Sequence, residues 1–240
     1  MSRDEGRGRV RPVAPAPDRS EARQAVASVA RDERALVAEL ESFARDPAVR
    51  PAAIAALLDG LPASLRTACV RGISRRAQRA LYEKVRGFAA VELRDLVAPD
   101  RRDLETVRHL GRNTLPAFTL FEKHFCRLPG ASRTAPQALA GFNFQALSGL
   151  TGPGYFIAVP DLDRAEVLVD YRRLPTVRPA SWPPIRSNET GIARFVYGFM
   201  VDRLRRVARD VTIGSASRRG RDLGSYFVLS REGSEPGGPA

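Results

Sequence analysis

The chain has 240 residues, with 39 Lys and Arg against 27 Asp and Glu, a formal net charge of +12. Hydrophobic residues make up 43%, which excludes wholesale disorder, and two cysteines, Cys69 and Cys126, are too few for a disulfide scaffold or a four-thiolate metal site. No stretch approaches the ~18–20 apolar residues of a membrane-spanning helix.

A basic chain suits nucleic acid, anionic lipid or an anionic ligand. Only Lys84 and Lys123 are lysines, so the excess is almost entirely arginine. With abundant Ala, Gly and Pro, that is also how a GC-rich genome writes a protein. The excess is spread along the chain and interleaved with acids, which favours background composition over a dedicated anionic partner.

Residues 1–28 read as a disordered tail, with Pro12, Pro15 and Pro17, several charges and no aromatic residue. No apolar segment of the kind that drives secretion follows Met1, and a cytoplasmic bacterial protein is the expectation. Residues 29–130 read as a helical region. Leu36, Leu40 and Phe43 recur at helical spacing up to Pro47. Pro51 opens a helix ending at Gly60, and Pro62 opens one closing near Gly72. Ser74 is placed to cap a long helix to Ala98 with Ala77, Leu81, Val85, Phe88 and Leu96 inward. Asp100 starts a short helix through Leu104 and Val107 to Gly111, and Thr114–Phe125 reads as one more.

Residues 131–232 change character. Residues 131–153 read as a loop holding the apolar piece Gly141-Phe142-Asn143-Phe144. Tyr155–Val159 and Glu166–Arg173 read as a hairpin. Residues 174–186, with four prolines around Trp182, read as a stiff crossover. The segment 189–209 reads as an amphipathic helix with Ile192, Phe195, Val196, Phe199, Met200, Leu204 and Val207 inward. Val211–Ser215 and Tyr226–Ser230 make a second hairpin, its turn holding Arg218, Arg219, Gly220 and Arg221. The last strand alternates Tyr226 and Val228 with Phe227 and Leu229, so both its faces need cover. The expected fold is α+β: an N-terminal helical layer packed, as one unit, on a four-stranded antiparallel β-β-α-β-β sheet, with a disordered tail over 233–240.

Gly152-Pro153-Gly154-Tyr155-Phe156, Val169-Asp170-Tyr171-Arg172, Trp182-Pro183-Pro184-Ile185 and Arg194-Phe195-Val196-Tyr197-Gly198 together resemble an unnamed family of bacterial proteins of unknown function, over roughly residues 110–232. The resemblance implies a folded unit and no particular activity.

The chemistry-bearing motifs are sparse. His124 and Cys126 point about 200° apart on a helix, and Cys69 and His109 lie elsewhere, so no zinc site is expected. Cys126 lacks a placed base. Gly149–Gly154 runs into a strand without the Gly-Lys-Ser/Thr ending of a phosphate loop, so no nucleotide cofactor is expected. Asp161 and Asp163 suit a hairpin turn. Asp202 and Arg206 have the spacing of a helical ion pair. Asp170 is a partly buried acid beside arginines, and a structural ion pair is the simpler account of it. Arg75, Arg79, Tyr82 and Arg86 share one helical face that could grip phosphates, though a solvated helix side explains it as well.

The sequence therefore points to a non-catalytic binding or accessory protein. Its small ligand would be anionic or aromatic-bearing, held between sheet and helices near Tyr155, Asp170, Tyr171, Arg172 and Trp182. The alternatives are a nucleic-acid-binding protein using the Arg75 face, with non-specific affinity at most, and an enzyme with a site at Asp170 or His124. Oligomeric state is not legible.

Overall fold

The computed structural model describes residues 19–145, 152–191 and 193–233. The chain divides into two compact units, Met1–Asp32 and Glu33–Ala240; of the first, the described part is the opening of helix α1 (Arg19–Arg45). Residues 1–18 of the expected N-terminal tail, and residues 234–240 of the C-terminal one, lie outside the described residues.

Eight strands close into one antiparallel barrel. They are β1 (Val107–Asn113), β2 (Leu120–Arg127), β3 (Leu139–Phe144), β4 (Tyr155–Asp161), β5 (Glu166–Asp170), β6 (Met200–Ala208), β7 (Val211–Arg218) and β8 (Arg221–Arg231). Each pairs with its neighbours in sequence, and β8 returns to β1 through partners such as Leu229 and Gly111. Closure leaves no sheet edge exposed.

The period-2 alternation sorts side chains between the inside and outside of the wall. Phe227 and Leu229 belong to the interior cluster, whereas Tyr226 and Val228 face the helices. Phe121, Phe125, Phe156, Tyr171, Leu204 and Phe227 fill much of the lumen. Room for the rings comes from glycines paired with them on the adjacent strands. A Cβ at Gly141 would lie 2.2 Å from Phe156, and one at Gly214 would lie 2.2 Å from Phe227.

Helices cover one outer face. The later part of α1, α2 (Pro51–Asp59), α3 (Ala63–Gly72) and α4 (Arg75–Lys84) pack Leu40, Leu58, Val70 and Leu81 against Val207, Ile213 and Val228. Arg66 of α3 and Arg231 of β8 both pair with the buried Asp210. The Trp182 crossover covers another outer face with Phe142, Tyr155 and Ile157. One end of the barrel is plugged by the single turn α5 (Leu93–Leu96), whose Leu93 and Leu96 join the interior cluster. There the buried His109 donates from Nε2 to the Leu96 carbonyl at 3.0 Å. The other end is framed by the β1–β2 loop, the single turn α6 (Ala193–Val196) and the β7–β8 turn.

The expected α+β fold, a four-stranded sheet under a helical layer, is therefore replaced by the closed eight-stranded barrel. Five segments account for the difference. Ser74–Ala98 is helical only to Lys84, then again for one turn at α5. The expected helices over 100–111 and 114–125 give way to β1 and β2. There, Val107, His109 and Gly111 alternate, as do Phe121, Lys123 and Phe125; short apolar runs satisfy both periods, and wall pairing decides. The expected helix 189–209 is a single turn followed by β6, with Phe195 exposed rather than inward. Ile192 lies outside the described residues. The loop read over 131–153 contains β3. Residues 19–28 of the expected tail belong to α1, and the helical region stops short of residue 130, with β1 already under way at Val107. No helix among the described residues is long and apolar enough to cross a membrane.

Candidate functional site

The inward positions of four strands bring together a buried polar cluster that no continuous motif announces. Lys123 on β2, 1% exposed, donates from Nζ to Asn143 Oδ1 on β3 at 3.0 Å and to Asp202 Oδ2 on β6 at 2.9 Å. Its third contact is the Tyr171 hydroxyl, just past the end of β5. That hydroxyl accepts from Asn143 Nδ2 at 2.7 Å and donates to Asp202 Oδ2 at 3.1 Å. The ammonium also lies 4.9 Å from the centre of the Phe227 ring and about 5 Å from Tyr171 and Phe156. Burial without this cage would cost several kcal/mol per ion.

Burial pulls the Lys123 ammonium below its usual range, against the opposing pull of Asp202. Burial also holds the Tyr171 phenol well above its usual value, with the Asp202 carboxylate adding to the effect. The three donors of Lys123 are all engaged, so the group is an anchored cation rather than a nucleophilic amine. One acceptor is left over. Asp202 Oδ1 is buried and has no hydrogen-bond partner among the described residues.

Lys123, Asn143, Tyr171 and Asp202 border a cavity of about 340 Å³ at the unplugged end of the barrel. Its other walls are mainly apolar and aromatic, including Phe121, Tyr197 and Phe227, with Met200 and Ala216. Tyr171 and Tyr197 stack with centroids 5.5 Å apart. At the rim, Arg218 donates from Nη2 to the carbonyls of Phe195 (2.8 Å) and Val196 (3.0 Å), while its Nε is buried without a partner among the described residues. The volume falls in the range of small-molecule sites, and apolar walls with a few convergent polar groups are their usual make-up.

Of the five residues expected to hold a ligand, Tyr155, Asp170, Tyr171, Arg172 and Trp182, Tyr171 alone borders this cavity. Tyr155 is fully buried on the outer side of the wall, where burial pushes its phenol up to about 12. Trp182 lies beside it, its indole N–H donating to Thr106 Oγ1 at 2.7 Å. Asp170 is clamped by Arg172 at 2.8 Å. Burial would raise that carboxyl, and the arginine bonds outweigh it, holding the group below its usual range. Arg172 is thus engaged on the outside.

The basic helix face breaks up. Arg75 donates to the Leu115 carbonyl and Arg86, beyond α4, pairs with Glu83. Arg79 is exposed. Tyr82 is buried, bonded to Ser215 Oγ at 2.7 Å beneath the Arg205 guanidinium. The spacing placed Tyr82 with the arginines, but the barrel wall claims it.

His124 and Cys126 do share a face, because they sit on a strand and not a helix. His124 is bonded to Glu122 at 2.6 Å and stacked against Phe144, and burial pushes the Cys126 thiol up to about 12. The Cys69 thiol is pushed up to about 11 by burial. Asp202 pairs across the lumen with Lys123, and Arg206 pairs with Asp95 instead. Among the described residues, no group of three or more His, Cys, Asp or Glu is placed to hold a metal ion.

Lys123, Asn143, Asp202 and Arg218 were missed as site residues. The available signal was Lys123 itself, one of two lysines in an arginine-rich chain, alternating with Phe121 and Phe125. Comparison with protein-family models, curated proteins and solved structures finds no match.

Proposed function

We propose that this chain is a non-catalytic small-molecule-binding protein whose ligand enters the open end of the barrel. The ligand has an aromatic or otherwise apolar body and carries a hydrogen-bond donor toward the Lys123–Asp202 floor. The observation that carries the reading is the cavity bordered by Asp202, whose Oδ1 is a buried acceptor without a partner among the described residues. Such an unmatched group costs about 1–3 kcal/mol, which a donor on the ligand would recover. The aromatic walls supply flat apolar contact.

An anionic group fits poorly at the floor, where the donors of Lys123 are spent and Asp202 repels a second negative charge. Arg218 Nε, which has no partner among the described residues, favours acceptor or anionic groups at the rim instead. Catalysis is disfavoured by the engaged amine and by thiols held protonated through burial.

The test is a titration, followed by naphthalene fluorescence, with 2-naphthol, 2-methoxynaphthalene and 2-naphthoate. 2-Naphthol should bind at least tenfold tighter than its methyl ether, because the ether has no proton for Asp202. Ala216→Phe, which fills the cavity from β7, should abolish binding. Equal affinity for alcohol and ether would remove the donor argument. Binding that survives Ala216→Phe would place the ligand elsewhere.

A further inference from the structure

The unplugged end of the barrel carries a second feature, on its outer rim. Large apolar side chains are exposed there: Phe195 is 78% and Phe118 54% exposed, with Leu115 and Leu223 about half so. They come from three separate segments, the β1–β2 loop, α6 and the start of β8, and Leu115, Phe195 and Leu223 also line the cavity. Phe118 sits at φ 54°, a region costly for a bulky side chain, and its ring is exposed.

Charge accompanies the apolar rim. The segments 114–119, 193–199 and 218–224 contain Arg194, Arg218, Arg219 and Arg221 against a single acid, Asp222. Apolar side chains that can enter an acyl boundary, ringed by cations that suit anionic headgroups, form the usual combination of a membrane-surface site. A protein partner would need shape complementarity that nothing on this rim specifies, whereas a bilayer needs only the apolar tips and the charge. We infer that the open end of the barrel docks on the surface of an anionic lipid bilayer, with Phe118 and Phe195 inserted and the cavity mouth facing the lipid.

This inference goes beyond the ligand reading and does not require the cavity to be filled. It is tested by co-sedimentation of the full chain with vesicles of phosphatidylcholine alone and of equimolar phosphatidylcholine and phosphatidylglycerol. Binding is expected to the anionic vesicles only. Arg219→Gln with Arg221→Gln should weaken it about 25-fold, at roughly fivefold per arginine. Phe118→Ser with Phe195→Ser should weaken it at least tenfold. Leu162→Ser, an 86% exposed leucine at the plugged end, should leave it unchanged.

No binding to anionic vesicles would overturn the inference. So would loss in the arginine pair without loss in the phenylalanine pair, which is mere adsorption of a basic chain. Duplex-DNA binding lost in the arginine pair, with no vesicle binding, would overturn it in favour of a nucleic-acid surface. The vesicles contain no naphthol, so failure of the ligand reading leaves this measurement standing, and the converse holds.

Discussion

Acid should loosen the plugged end of the barrel through one residue, His109. Its imidazole is 2% exposed and donates to the Leu96 carbonyl. Burial lowers its pKa from 6.5 to about 4, with the Leu96 bond opposing the shift and Arg231 adding to it. The folded value is depressed, so the neutral ring contributes stability that is complete above the unfolded pKa and is lost as pH falls toward the folded one. Between pH 7 and pH 5 the unfolded imidazole takes up its proton while the folded one does not, a loss of about 2 kcal/mol. Near pH 4 the loss reaches about 3 kcal/mol, with carboxylates then contributing too. The assay is urea denaturation at pH 7 and pH 5 for the native chain and His109→Gln, whose amide can still donate to Leu96 but does not titrate. The native chain should lose about 2 kcal/mol more than the variant. Equal losses would refute the assignment of a buried neutral histidine to the plug.

Lys123→Met alone should destabilise by roughly 3–5 kcal/mol in urea melts, because it strands Asp202 in the lumen. Combined with Asp202→Leu, the loss should fall short of the sum of the single variants by about 2 kcal/mol or more, and additivity would show that the pair is not coupled. Gly141→Ala should cost about 1–3 kcal/mol, since its Cβ meets both Phe156 and the His124 carbonyl; a neutral result would mean that β3 can shift.

Legibility followed the number of chain segments that each feature needs. The proline-opened helices α2 and α3, the Ser74 cap, which accepts from the Ala77 N–H at 3.3 Å, and the 155–170 hairpin are local, and local residue types specify them. The two-sided character of Tyr226–Ser230 was legible as alternation, but the identity of its cover was not. One side is the lumen of a closed barrel, which exists only when β8 meets β1. Segments 120–127 and 200–208 carry charged residues at inward positions, Lys123 and Asp202. On a helix those charges read as solvated, so the period-2 signal was obscured by the residues that make the site. The two partners are 79 residues apart in sequence, and only the register of the wall brings them to 2.9 Å.

The central claim, that a ligand occupies the lumen above the Lys123 floor, is tested most directly by the chain's two lysines. Protein labelled with [15N]lysine gives signals from Lys123, inside the barrel, and from Lys84, whose ammonium donates to the Asp46 and Val49 carbonyls on the helical side at 2.7 Å. Titration with 2-naphthol should shift the Lys123 signal in a saturable way and leave Lys84 where it is. A Lys123 signal that stays put while 2-naphthol binds, or equal shifts of both lysines, would contradict the claim.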